Sequence, residues 1–238
     1  MKNMKKMFLS GVLLTVLVLT ACSKYEGEFP AGEKSDELPE IMLQSMASEE
    51  AIAENHPYDS IIAAYTEAFK EEWDAGKMMD EGLNYLFAVC IQDDPRATVG
   101  YWQNDINGDG IEELLICANS ESVFYSSLIF DLYTIKNGVP TLVFQSSERN
   151  TYYWCGDNTI DNSFSSGATQ SGRHICSFDG ERLKLMEGVE YDAASEEQGP
   201  WYRVGGNEAE TIPEDDANAL LQKYNDWHIG INMTLFLS

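Results

Sequence analysis

Between Thr98 and Val204 the chain is a succession of short runs rich in β-branched and aromatic residues, separated by turn-forming pairs. That texture selects an antiparallel sheet built of hairpins. The runs are Thr98 to Gln103, Ile111 to Ala118, Val123 to Ile135, Thr141 to Ser146, Thr151 to Cys155, Arg173 to Phe178, Arg182 to Met186 and Trp201 to Val204. Asn137-Gly138, Gly156-Asp157-Asn158, Ser171-Gly172 and Asp179-Gly180 stand between them, and Asp-Gly between Phe178 and Glu181 is a hairpin signal. No glycine-rich phosphate loop succeeds any run.

Helical patterns flank this region. Tyr58, Ile61, Ile62, Tyr65, Phe69 and Trp73 recur every three or four residues, with Pro57 at the first turn and Gly76 as a stop. A second helix is expected from Glu81 to Ile91, ended by Asp93-Asp94-Pro95. A third runs from Ile212 to Asp226, opening at Thr211 with acids at its positive end and Ala217, Leu220, Leu221 and Tyr224 on its buried face. Ile229, Ile231, Met233, Leu235 and Leu237 then alternate with other residues, the pattern of a final strand with one apolar face. The expected class is α+β: N-terminal helices, an antiparallel meander of about 7–8 strands, a C-terminal helix and a last strand. The expected division is a signal over 1–21, an acidic tether over 22–45, a helical region over 46–96 and a β-rich domain over 97–238.

The first residues carry an address. Lys2, Lys5 and Lys6 precede an apolar run from Phe8 to Ala21, the layout of a secretory signal. The run is shorter than the roughly 20 apolar residues of a spanning helix. It ends in Leu19-Thr20-Ala21-Cys22, which resembles the lipobox of bacterial lipoproteins. The resemblance implies cleavage before Cys22, lipid on its sulfur, and a chain held at the outer face of the cell membrane. Two or more acyl chains make a stable anchor where one binds marginally. The residues up to 45 hold few large apolar groups and read as the tether.

Charge restricts the partners. The chain has 15 Lys and Arg against 40 Asp and Glu. Removing residues 1–21 takes three lysines and no acid, leaving 12 basic residues against 40 acidic and a formal charge of −28. Such a chain repels phosphate, so nucleic acid and anionic lipid are poor partners, and no nucleic-acid partner is expected. Divalent cations, basic peptides and neutral glycans remain. Export would also permit disulfides among Cys90, Cys117, Cys155 and Cys176. Cys155 and Cys176, both in strand-like runs, are the pair to test first; four buried thiols are the alternative.

The sharpest feature after Cys22 is Asp105-Ile106-Asn107-Gly108-Asp109-Gly110-Ile111-Glu112-Glu113. Oxygens at alternate positions (Asp105, Asn107, Asp109) can converge on one hard cation if the backbone curls around it, and Gly108 and Gly110 allow that curl. Ile111 would add its carbonyl. An EF-hand has a bidentate Glu at its twelfth position, which here is Ile116, so the loop is not an EF-hand. With Glu113 at the ninth position and strand-like flanks, the segment resembles the calcium loops of FG-GAP and integrin-type repeats. The resemblance implies Asp105, Asn107, Asp109 and Glu113 as side-chain ligands of Ca²⁺. An extracellular site of this kind binds weakly, with a dissociation constant on the order of 10⁻⁴ to 10⁻³ M. A metal-free turn is the alternative. The loop, the helix Tyr58 to Tyr65, the run Ile129 to Ile135 and the segment Arg149 to Trp154 together resemble a group of uncharacterised lipoproteins of Gram-positive gut bacteria. That likeness implies fold and address, and no activity.

A binding or interaction module is the expected role. Tyr152, Trp154 and Trp201 are candidates for an aromatic platform that stacks on glycan rings; core packing is their other use. A hydrolase working through carboxylates, or through His174 and Cys176, which alternate on one strand face, is the second reading. No GxSxG, HExxH or SxxK signature supports it. A structural or inhibitory partner of another surface protein is the third.

Overall fold

The computed structural model describes residues 56–122, 124–195, 199–205 and 209–237. The signal over 1–21, Cys22, the tether over 22–45 and the first part of the expected helical region lie outside these residues. Three helices, α1 (Asp59–Lys70), α2 (Ala75–Asp80) and α3 (Tyr85–Asp93), precede the strands. The first eight strands are β1 (Thr98–Asn104), β2 (Glu113–Asn119), β3 (Leu128–Lys136), β4 (Val139–Gln145), β5 (Asn150–Gly156), β6 (Thr159–Ser165), β7 (Gln170–Phe178) and β8 (Leu183–Asp192). Then come β9 (Trp201–Val204), β10 (Glu210–Thr211), helix α4 (Glu214–Asp226) and β11 (Thr234–Leu235).

The helices stop where local chemistry stops them. Glu72 adopts a left-handed backbone (φ 50°) and Trp73 N–H reaches back to the Ala68 carbonyl at 3.0 Å, closing α1 before the expected Gly76. Asp74 then caps α2 by accepting from Lys77 N–H at 2.8 Å, so Gly76 falls inside the first turn of the next helix. Asn84 caps α3, which ends at Asp93 just ahead of Pro95 as expected.

All strands belong to one antiparallel sheet in the order β10-β9-β8-β7-β6-β5-β3-β2-β1-β11, with β4 paired to the second half of β3. The eleven strands among the described residues exceed the expected meander. Two additions explain it. Thr159–Ser165 reads as polar loop but pairs along its length with both β5 and β7. Glu210–Thr211 adds a short edge beside β9. Ser171-Gly172, expected as a turn, is continuous strand: Gly172 pairs with Glu190, and a Cβ there would sit 2.7 Å from Phe164 Cζ and from the Val189 carbonyl oxygen. The last expected strand is reduced to Thr234–Leu235, and its apolar face is split. Ile231 and Phe236 are buried while Leu235 and Leu237 are exposed, because the chain changes face as it joins the edge of β1.

The two faces of the sheet are filled differently. Leu114, Ile116, Ala118, Leu128, Phe130 and Tyr153 point to the face covered by α1 to α3. Farther along that face Ile175 and Val189 pack under Ala217 and Tyr224 of α4. The opposite face holds Leu115, Cys117, Ile129, Trp154, Ile160 and Phe178. Trp102 of β1 and Trp154 of β5 meet there edge to face, with ring centroids 5.2 Å apart, although two strands lie between them. A flat sheet would separate those backbones by roughly 14 Å. The sheet therefore curls around this face as an open barrel, with helices on its convex side. Among the described residues no helix is long and apolar enough to cross a membrane.

Helices and sheet are joined by one buried polar node. Asn84 Nδ2 donates to the Phe130 carbonyl at 2.8 Å, the Ser146 carbonyl at 3.1 Å and Asp131 Oδ1 at 3.2 Å, and Tyr65 Oη donates to Asp131 Oδ2. Asp131 is buried with no cation partner among the described residues; burial raises its pKa and these donors oppose the rise. Asn84→Ala removes the α3 cap and the amide that serves three acceptors, so it is expected to cost about 3 kcal/mol. Urea unfolding checks this; Gln92→Ala, on the last turn of α3, should fall within about 0.5 kcal/mol of the parent.

Candidate functional site

The strongest chemical cluster sits where β1 turns into β2. Asp105 Oδ1 accepts from Gly108 N–H at 2.8 Å and Asp109 N–H at 3.1 Å, and its Oδ2 accepts from Gly110 N–H at 2.9 Å. Asn107 Oδ1 accepts from Asp109 N–H at 2.9 Å, and Asp109 Oδ1 from Ile111 N–H at 2.8 Å. Gly108 (φ 79°) and Gly110 (φ 89°) take the left-handed backbone that this winding needs. The loop is thus a curl around its own carboxylates. Ile111 projects into solvent, and the Glu112 carbonyl accepts from the buried Tyr58 hydroxyl at 2.9 Å, which ties the loop to the start of α1.

Glu113 lies behind the loop with 0% exposure. Its Oε2 accepts from Ile106 N–H at 3.1 Å and its Oε1 from the Thr134 hydroxyl at 3.1 Å. Burial, helped by the negative Asp109 and Asp105, pushes its pKa up to about 7. In kind the residues fit a hard oxygen-seeking cation: three carboxylates, an amide oxygen and a carbonyl. In the structure the oxygens of Asp105, Asn107 and Asp109 accept from the loop's own N–H groups, and Asn107 Nδ2 donates to Asp109 Oδ2 at 2.9 Å. Among the described residues no three His, Cys, Asp or Glu side chains are grouped as metal ligands. To present its oxygens together, the loop must break the Asn107–Asp109 side-chain bond.

The loop does not stand alone. A Cβ placed on Gly180, in the β7–β8 turn, would lie 2.8 Å from Asp109 Oδ2 and 3.3 Å from Asn107 Nδ2. Five strand spacings separate β7 from β1, so this contact is the closing point of the curl. Gly180 meets both demands of the site, a positive φ of 91° and the absence of a side chain. Asp179 beside it accepts from Glu181 N–H and Arg182 N–H and pairs with Lys184 at 3.0 Å, which holds the turn.

The remaining sequence candidates are not brought together. Tyr152 and Trp154 face the inside of the curl, Tyr152 stacked on Phe144 at 3.8 Å and Trp154 buried against Trp102. Trp201 packs on the other face beside Ile212 and Leu220, edge-on to Tyr191. A glycan platform is not formed by them; packing claims all three. Cys155 and Cys176 are free thiols, as are Cys90 and Cys117. The expected disulfide is absent for a geometric reason. Cys176 pairs across from Ile160 and faces the interior of the curl, whereas Cys155 sits at a bulge and faces Arg173 on the helix side. His174 Nε2 bonds Glu190 Oε1 at 2.7 Å, and burial pushes the Cys176 thiol up to about 11. These two do not form a thiol–imidazole pair.

Sequence reading missed a buried cluster. Asp161 on β6 takes Arg173 of β7 and His228 Nε2, the latter at 2.8 Å, while His228 stacks on Tyr153 at 4.6 Å. Burial, with Arg173 nearby, lowers the His228 pKa to about 4. Its only sequence signal is an acid in a stretch that reads as loop. No protein-family model, no curated protein and no solved structure matches this chain.

The titrations have opposite signs. Glu113, raised from 4.5 to about 7, costs stability when ionised, so stability is lost as pH rises through about 7. His228, lowered from 6.5 to about 4, gives stability that is lost as pH falls through about 4. Glu113→Gln isolates the first, because an amide can still accept from Ile106 N–H and donate to Thr134. In chelator the variant should be more stable than the parent by about 1–2 kcal/mol near pH 8, the gap closing by about pH 5. Paired thermal melts across that range decide it; a gap independent of pH would contradict the assignment.

Proposed function

We propose that this chain is a lipid-anchored extracytoplasmic binding module whose curled sheet is closed by calcium at the loop 105–113. The observation that carries the calcium half is the contact between Asp109 and Gly180. A cation drawing Asp105, Asn107, Asp109 and Glu113 together would fix the loop against the β7–β8 turn, and so join the first and seventh strands of the sheet. It would also compensate the buried Glu113, whose pKa is raised chiefly by burial and further by the negative Asp109 and Asp105. Ile111 would contribute its carbonyl, and water the rest of the shell.

The anchor is argued from the signal-like start and from Leu19-Thr20-Ala21-Cys22. With a formal charge of −28 on residues 22–238, attraction to an anionic membrane cannot hold the chain there, so lipid on Cys22 supplies the attachment. The hydrolase reading gains nothing from His174 and Cys176, since one is engaged by Glu190 and the other is buried inside the curl.

Two measurements test this. Millimolar Ca²⁺ should raise the melting temperature of chelator-treated protein, by an amount that grows with concentration as for any ligand of the native state. Asp109→Ala should remove the rise, and an unshifted parent would reject the calcium site. Separately, Cys22→Ser expressed in a Gram-positive host should move the protein from the membrane fraction to the medium; retention in the membrane would reject the lipid anchor.

A further inference from the structure

A second concave site lies on the helix side of the sheet, between the β5–β6 turn, the β7–β8 strands and the segment after α4. It is a cleft of 630 Å³, within the roughly 300–1,000 Å³ of small-molecule sites. Ile175, Met186, Trp227 and Ile229 supply its apolar lining. Met186 is 53% and Ile229 48% exposed, so this lining is open to an occupant.

The cleft is built from fixed parts. Gly156 has a φ of 84°, and a Cβ there would lie 2.8 Å from Ile229 Cδ1, so glycine lets Ile229 close down on the turn. Ile229 N–H donates to the Trp154 carbonyl at 3.2 Å. His228, between the two apolar wall residues, is anchored on Asp161. The walls are therefore pinned to the sheet on both sides.

The charged side chains of its lining are all acidic. Asp157, Glu187 and Asp226 line it, and no Lys or Arg does. Arg173 lies near Cys155, but its charge is matched by Asp161. Glu187 is taken by Lys223 at 3.0 Å and Arg203 at 3.4 Å. That Lys223 ammonium also lies 4.4 Å from the Trp227 ring centroid, an internal example of a cation held by the ring and carboxylate of this cleft. Neither Asp157 nor Asp226 has a cationic partner among the described residues.

We propose that this cleft binds a small organic ammonium ion with an apolar body, the carbon frame on Ile175, Met186 and Ile229 and the charge toward Asp157 and Asp226. The inference deepens the binding-module reading and rests on it. Both carboxylates are exposed, Asp226 accepting from Gln222 Nε2 at 2.9 Å, so they discriminate by attracting an ammonium and repelling an anion, and the excess of 40 acidic over 12 basic residues in 22–238 adds to the discrimination.

Methyl NMR on the whole mature chain (residues 22–238, Cys22→Ser) tests it, with hexylammonium as probe and hexanoate as its anionic counterpart. The Met186 and Ile229 methyl signals, assigned through Met186→Leu and Ile229→Val, should shift saturably with hexylammonium and stay in place with hexanoate. Asp157→Asn and Asp226→Asn should each weaken hexylammonium binding by about threefold to fivefold. Equal response to hexanoate, or no response to either, overturns the proposal. Calcium-dependent melting of the same sample separates the failures: a retained calcium rise with silent methyls rejects the cleft alone, and loss of both rejects the module.

Discussion

The curl of the sheet is the constraint on which the rest depends. A chain of hairpins this long has two faces to bury, and the helices cover only one. The other is buried by bending the sheet until Trp102 meets Trp154 and Ile106 joins Phe178 in one core. Curling brings distant strands close at one end, and there the β1–β2 loop touches the β7–β8 turn at Gly180. A side chain at position 180 would hold that end apart. The loop at 105–113 is therefore part of the closure of the fold.

Three buried carboxylates mark the places where this architecture needs polar joints, and each is satisfied differently. Asp131 joins helices to sheet through neutral donors, Tyr65 and Asn84. Asp161 ties the post-α4 segment to β6 and β7 through Arg173 and His228. Glu113 has only Ile106 N–H and the Thr134 hydroxyl, with two further acids in front of it. Burying a carboxylate without a cation is costly, and donors offset only part of that cost. Of the three, Glu113 is the joint left with negative neighbours, Asp109 and Asp105.

Much of the architecture is legible in the sequence because its signals are local. Asn137 (φ 54°) and Gly138 (φ 78°) make the β3–β4 hairpin from the pair that announces it, and Asp179-Gly180 makes the β7–β8 turn. α4 keeps Ala217 and Tyr224 on the face its periodicity indicates. The failures arise where tertiary context overrides composition. Thr159–Ser165 looks like loop because Asp161 and Asn162 serve a buried ion cluster and a side-chain bond to Asn150, yet it is flanked by strands on both sides. Ser171-Gly172 resembles a turn, but Gly172 is small because Phe164 crosses it. Cys155 follows Trp154 and so faces away from it, whereas Cys176 lies across Ile160 from Trp154 and shares its face; β6, which the sequence hides as loop, stands between the two cysteines. Candidate aromatics are recognisable by type, but the curl consumes Tyr152 and Trp154 as its own filling.

β4 and β5 both run antiparallel to β3, so the alternation of hairpins is broken there, and it is the curl that brings the loop at 105–112 and the turns at 137–138, 156–159 and 179–182 together. Side chains link them in sequence. Asp109 abuts Gly180; Asn158 Nδ2 donates to the Phe178 carbonyl at 2.8 Å and its Oδ1 accepts from Phe178 N–H at 3.0 Å; Gly156 seats Ile229 at the wall of the cleft. A cation that immobilised the loop would act on the same turn whose far side, through Asn158, fixes the β5–β6 corner of the cleft. Coupling by this route requires no change of fold, only the loss of motion at a shared corner. The acidic character of the chain then enters both proposals: the calcium proposed at the loop and the ammonium ion proposed for the cleft.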